Sequence, residues 1–260
     1  MSFTPNGLDV EVEFLKKISV EAGNLALEYQ RKGISAETKD DDSPVTAADK
    51  ACEKMLVEAI STQFPDDGIL GEEGANKAGK SGRKWIIDPI DGTRDFVRGL
   101  PLWANLIGLE QDGKIVAGVA NIPLQNTLCW ASTGGGSFLN GEPIHVSPIT
   151  DGSQAVVCFN GFHKTNVAAL GQPLLKWISG VWAVRGLGGA MDALLVAMGK
   201  ADIWIEPNAK AWDFAPLKII IEEAGGKFAS FAGENSIYSG NGYACTPGVE
   251  GFVKDLFASL

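Results

Sequence analysis

Three observations predict a mixed fold of the α/β or α+β class. An amphipathic three-and-four periodicity opens the chain, a trio of short apolar runs separated by turns occupies its middle, and strand-like and helix-like stretches alternate from about Gln154 onward. With 260 residues, 45% of them hydrophobic and 21% charged, the chain is expected to form one compact soluble domain in two packed halves, about 1–150 and about 151–260. A formal charge of −10 with no compensating Lys/Arg cluster excludes a nucleic-acid footprint. Any anionic ligand would need local positive charge, for which bound cations are the obvious source.

Taken in order, Leu8, Val12, Leu15, Ile18, Ala22, Leu25 and Tyr29 mark one helix face, and Gly33 closes that helix. The polar segment Glu37 to Ser43, with Asp40-Asp41-Asp42, reads as a solvated acidic loop because the ligand spacing of an EF-hand is missing. Thr46-Ala47-Ala48-Asp49 is a capping-box variant that opens a second helix through Ala51, Cys52, Met55, Leu56, Ala59 and Ile60. Phe64 to Gly68 stops it, Ile69-Leu70 forms a short strand, and after Gly71-Glu72-Glu73-Gly74 the segment to Arg83 reads as a surface loop. The apolar run Trp85-Ile86-Ile87 then predicts a buried strand ending in Asp88-Pro89-Ile90-Asp91-Gly92-Thr93.

Leu102 to Leu109, Ile115 to Ile122 and Thr127 to Ala131 read as a meander, followed by a turn at Gly134-Gly135-Gly136. In the second half, strands Ala155 to Phe159, Val181 to Val184 and Asp202 to Ile205 alternate with helices Ala168 to Ile178, Ala190 to Met198 and Phe214 to Ala224. With Asp213 as N-cap, Pro216 falls in the first turn of the last of these, where its missing N–H costs nothing. A strand at Gly242 to Cys245 and a helix at Val249 to Ala258 close the chain. Cys52, Cys129, Cys158 and Cys245 are scattered in apolar surroundings and read as buried free thiols, which fits a reducing cytoplasm. No leader-like or membrane-spanning run is present, so neither a membrane nor secretion is expected.

The chemistry concentrates at Asp88 and Asp91. Two acids so close repel unless a cation or hydrogen bonds compensate, and Glu72 and Asp213 are natural further oxygen ligands. With only His145 and His163 in the chain and no cysteine cluster, the ligand set suits magnesium rather than zinc or copper. Gly92 and Thr93 could aim backbone N–H groups at a phosphate if a helix starts there. Plain structural readings stand beside these: Asx-type turn bonds for Asp88 and Asp91, a helix cap for Asp213, helix-start electrostatics for Asp49 and a turn hydroxyl for Thr93. The D-x-D-G-T signature of haloacid-dehalogenase phosphatases is matched only superficially. Pro89 stands where their nucleophilic aspartate would be, which favours direct attack by water.

The unbroken string Trp85 to Thr93 resembles the W-I-I-D-P-I-D-G-T signature of the inositol monophosphatase superfamily of magnesium-dependent phosphatases. The resemblance extends to Pro44 to Asp49, Gly71 to Glu73 and Trp212 to Gly226, and covers nearly the whole chain. It implies a layered αβαβα sandwich, usually homodimeric. It also implies one magnesium on Glu72, Asp88 and the Ile90 carbonyl, a second on Asp88, Asp91 and Asp213, and a third, weaker one near Glu72. Thr93, paired with Asp49, would orient the attacking water, so that Thr93, Asp49 and Glu72 form the catalytic set.

Phe96 to Ala104 looks like the F-V-R-G-x-P-x-W-A run of the histidinol-phosphatase branch, and Ser81-Gly82-Arg83 and Glu206-Pro207 match it too. By that resemblance Glu206 faces the alcohol part of the substrate, where a carboxylate could hold hydroxyls or an ammonium group. Arg98, Arg185 and Asp192 are further candidates for substrate contact. Two positions depart from the pattern: Asp95 stands where the family commonly has asparagine, and Gly189 where the histidinol branch has aspartate. Trp103, Trp182, Trp204 and Trp212 read as core or wall residues. The expected activity is hydrolysis of histidinol phosphate, with an inositol-1-phosphate phosphatase as the alternative and a non-catalytic metal- or phosphate-binding regulator as the remoter one.

Overall fold

The computed structural model describes residues 7–33, 36–38, 44–159 and 167–258. In chain order these form α1 (Asp9–Lys32), β1 (Ala36–Thr38), β2 (Pro44–Thr46), α2 (Ala47–Gln63), β3 (Gly68–Gly71), β4 (Asn76–Lys77), β5 (Arg83–Asp91) and α3 (Thr93–Arg98). The meander follows as β6 (Ala104–Gln111), β7 (Lys114–Ile122), β8 (Thr127–Ser132), β9 (Gly136–Leu139) and β10 (Glu142–Pro143). The remainder is β11 (Val156–Phe159), α4 (Val167–Ile178), β12 (Ala183–Arg185), α5 (Gly189–Ala197), β13 (Ile203–Glu206), α6 (Ala211–Glu223), β14 (Lys227–Ala229), β15 (Gly242–Cys245) and α7 (Glu250–Ala258).

Among the described residues one sheet runs β10-β9-β8-β7-β6-β5-β3-β4 and a second runs β12-β11-β13-β15-β14. Helices α1 and α2 cover one face of the larger sheet, α5 and α6 fill the space between the sheets, and α4 and α7 cover the far face of the smaller one. The result is a mixed α/β sandwich of alternating helical and sheet layers. Side-chain alternation produces it. Along β5, Trp85 and Ile87 enter the core under α1 and α2, while Ile86 faces the α5/α6 layer and Asp88 continues on its side. Along β13, Ile203 and Ile205 face outward to α4 and α7, and Trp204 faces the middle layer, with Glu206 next in that series. Both strands therefore end with a carboxylate turned toward the same layer.

Helix α6 lies on the larger sheet at a pair of facing glycines, Gly108 on β6 and Gly118 on β7. A Cβ at Gly108 would stand 2.8 Å from the Ala215 Cβ, and one at Gly118 only 2.7 Å from the Pro216 Cα. The absent side chains let the helix backbone reach the sheet.

Several expectations are corrected. The N-cap of α6 is Lys210, not Asp213, so Asp213 is the third helical residue and Pro216 the sixth. Pro216 thus lies past the first turn, where it deprives the Trp212 carbonyl of its i+4 donor, and it sits against the glycine pair instead. Part of the polar segment at Glu37 pairs as β1 with β2, and the loop before Arg83 contains β4. The meander continues past the triple glycine into β9 and β10, because the turn reverses the chain into another antiparallel partner for β8. Trp182 is 75% exposed and belongs to neither core nor wall. Asp40-Asp41-Asp42 and His163 lie outside the described residues. All four cysteines are buried free thiols, as expected.

Candidate active site

The two acids of the motif converge because β5 carries one residue too many. Asp88 pairs with Leu106 and Asp91 with Ala104, so three steps on β5 match two on β6. In a regular strand, residues three apart point to opposite faces; the bulge turns Asp91 back to the side of Asp88. Pro89, at the bulge, has no N–H to lose from the ladder, and its carbonyl accepts the Asn105 side-chain N–H at 2.6 Å. Asn105 is fully buried and in turn accepts from Asn121, whose amide also reaches the Ser19 carbonyl of α1.

Asp213 enters from the first turn of α6, where its carboxylate accepts the Lys210 N–H at 2.6 Å. Carboxylate oxygens of Asp88, Asp91 and Asp213 all lie within 4.8 Å of one another. Glu72 directly follows β3, the strand parallel to β5, its N–H donating to the Ile87 carbonyl at 3.2 Å. Buried Glu53 of α2 fixes this turn, accepting the Glu73 and Ala75 N–H groups at 2.8 Å each. A Cβ at Gly71 would collide with the Glu53 carboxylate.

Gly92 takes a left-handed conformation, φ 81°, and helix α3 starts at Thr93. The Thr93 hydroxyl has two acceptors within reach, Asp49 at 3.4 Å and the Ile90 carbonyl at 3.3 Å. Asp49 is buried behind it and its other oxygen completes the capping box of α2, accepting from Thr46 N and Oγ1 at 2.8 and 2.5 Å. Across from them, the Ala190 N–H donates to Asp91 at 3.0 Å.

The acids front a cleft of about 780 Å³ that also takes in Arg94, Asp95, Trp204, Glu206 and Trp212. Of the sequence candidates, Glu72, Asp88, Ile90, Asp91, Gly92, Thr93, Glu206 and Asp213 line it. Arg98, Arg185 and Asp192 do not. Arg98 is exposed at the end of α3, and Arg185 is exposed with its guanidinium on the Val184 carbonyl. Asp192 is buried, accepting the Leu187 and Gly188 N–H groups at 2.9 and 3.3 Å, so it ties down the glycine loop before α5. Sequence reasoning passed over Glu53 and Asn105. The signals were Glu53 four residues after Asp49 on one helix face, and Asn105 as a lone amide in an apolar strand.

Burial raises the pKa of Asp88 well above the carboxylate range, reinforced by the charges of Glu72, Asp91 and Asp213. Asp213 is pushed up to about 8 by burial and then by Asp91. Asp49 is raised by burial against the opposing pull of its Thr46 hydrogen bonds. Two unit charges about 4 Å apart repel by roughly 4 kcal/mol at an effective dielectric near 20. Such a cluster needs protons or cations. The donor set fits magnesium: it is all oxygen, and one Asp88 oxygen is buried with no hydrogen-bond partner among the described residues.

The model of the inositol monophosphatase family matches residues 8–259 of this chain. A histidinol-phosphatase of Chlorobaculum parvum is 36% identical over 96% of both chains. A fructose-1,6-bisphosphatase/inositol-1-monophosphatase of Thermotoga maritima is 32% identical over 88% of this chain and 86% of its own. Among solved structures, the extragenic suppressor protein suhB of Bartonella henselae superimposes with a TM-score of 0.90 at 28% identity, over 96% of this chain and 98% of the other.

Proposed function

Since the chain belongs to the inositol monophosphatase family, we propose that it is a magnesium-dependent phosphoric monoester hydrolase whose substrate is L-histidinol phosphate. The observation that carries the chemistry is the convergence of carboxylate oxygens of Asp88, Asp91 and Asp213 to within 4.8 Å of one another at a cleft wall, with one Asp88 oxygen buried and lacking a hydrogen-bond partner among the described residues. Glu72, Asp88, the Ile90 carbonyl, Asp91 and Asp213 would hold two or three magnesium ions. Bound there, the ions offset phosphoryl charge and make water more acidic.

The chain supplies orientation. When the Thr93 hydroxyl donates to Asp49, its lone pairs face outward to accept a proton of the attacking water. The Gly92 and Thr93 N–H groups are the donors for phosphoryl oxygens at the start of α3. Glu206, 3% exposed at the end of β13, supports recognition of a polar or cationic alcohol. Arg94 takes the rim position assigned from sequence to Arg98, since it lines the cleft. Asp192 serves this reading through the glycine loop rather than by contact.

Inositol 1-phosphate is the second reading, favoured by the same Glu206 carboxylate, which accepts from hydroxyls as readily as from an ammonium group. Phosphate release from both esters with millimolar magnesium decides between them. A higher kcat/KM for histidinol phosphate is expected; a clear preference for inositol 1-phosphate reverses the assignment, and no release from either removes the enzyme reading in favour of a binding protein. The two sequence halves would then act as one unit, each supplying part of the cleft. The four buried thiols support a reducing cytoplasmic setting. Exposed Trp182, just ahead of the edge strand β12, supports a homodimer, and sedimentation as a single chain would remove that expectation.

A further inference from the structure

Asp95 is an acid the chemistry above does not use. It sits in the first turn of α3 and lines the cleft, two residues beyond Thr93. Among the described residues no donor is hydrogen-bonded to its carboxylate; the charge acting on it is that of the exposed Arg94 next to it in sequence. A solvated surface acid needs no partner, but this one is half-buried.

Its surroundings are two glycines. One carboxylate oxygen of Asp95 lies 3.4 Å from where a Cβ on Gly92 would stand, and 3.3 Å from where one on Gly188 would stand. A Cβ at Gly188 would press on that oxygen and one at Gly92 would touch it, and both glycines have positive φ, 81° and 122°. The next residue, Gly189, faces Asp91 in the same manner, its virtual Cβ 3.3 Å from an Asp91 oxygen. Consecutive Cα atoms are about 3.8 Å apart, so the bare glycine strip spans the short distance from a metal-ligand acid to Asp95. The alcohol part of an ester held by its phosphate beside Asp91 would share the cleft with this strip and with Asp95.

We propose that Asp95 is a specificity-determining residue, receiving an ammonium group carried by the alcohol part of the substrate close to the ester oxygen. Glu206 lines the same cleft from β13, so two carboxylates on different elements are available to the alcohol part. Losing one charged hydrogen bond of this kind costs about 10- to 100-fold in binding or turnover. The inference rests on the phosphatase reading and narrows it to amino-alcohol phosphates.

The test pairs L-histidinol phosphate with its analogue lacking the amino group, assayed with magnesium on the wild-type chain and on Asp95→Asn and Asp95→Ser. The wild type is expected to prefer the amine. Both variants should lower the ratio of kcat/KM for the amine ester to that for the uncharged ester at least about tenfold, chiefly through KM for the amine. If both esters lose activity equally, or the ratio does not move, the role of Asp95 is overturned while the phosphatase reading stands. A wild type that prefers the uncharged ester overturns it as well. A wild type that hydrolyses neither ester removes both readings together.

Discussion

Asp49 serves two hydrogen-bond systems with one carboxylate. One oxygen closes the start of α2 against Thr46, and the other reaches the Thr93 hydroxyl. The first bond is a local rule, readable from Thr46 and Asp49 at capping-box spacing; the second joins positions 44 residues apart and no spacing rule predicts it. Asp91 shows the same division. Its role as an acid near Asp88 was legible, whereas the Ala190 N–H that orients it was not, because a backbone donor carries no side-chain signature. Asp91→Asn retains an oxygen for that N–H but loses the charge. The variant is expected to fold with an unchanged circular dichroism spectrum, to bind magnesium more weakly in calorimetry, and to lose turnover by at least about 100-fold, the upper range for residues that merely support a metal ligand. Normal activity would exclude Asp91 from the metal set.

At the level of elements, periodicity located nearly every long helix and strand within a few residues. The failures were local and have physical reasons. β4, β9 and β10 are too short to show a period, and α6 is apolar on most of its circumference because it lies between two sheets, so its start could not be read from a hydrophobic stripe. The one-residue excess in β5 was equally hidden, although it is what brings Asp88 and Asp91 together. Gly118→Ala tests how α6 is seated. Its new Cβ would meet backbone at Pro216, so a loss of about 1–3 kcal/mol is expected in urea unfolding. Gly251→Ala in α7, with open space around it, should instead be neutral or stabilising by up to about 1 kcal/mol. Equal effects at the two positions would mean that helix propensity rather than close approach decides the first.

For the whole molecule the acid cluster links stability to pH and metal. Asp88 and Asp213 have folded pKa values raised above the unfolded value of about 3.9, with Asp213 at about 8. The metal-free fold therefore holds protons that the unfolded chain has released. That contribution is complete below about pH 4 and is lost as pH rises through about 8, so metal-free stability should fall across this window. Magnesium competes with those protons and binds the folded form, so the rise in Tm on adding it should be small near pH 5 and larger near pH 8. Calorimetry at the two pH values checks this, and a shift independent of pH would contradict it.

The position of α6 has a consequence for how the protein comes into being. The helix lies on the first sheet, yet it follows that sheet's strands in the chain by a long stretch. A ribosome adding about 5–20 residues per second needs roughly 6–25 s to travel the about 120 residues from Asp91 to Asp213. During that interval the nascent chain carries Glu72, Asp88 and Asp91 without the third aspartate and with one face of its sheet uncovered. The site is thus completed only once residue 213 and the helix around it have been added, and a message truncated ahead of residue 213 yields a product that lacks both the last ligand and the helix that shields the sheet.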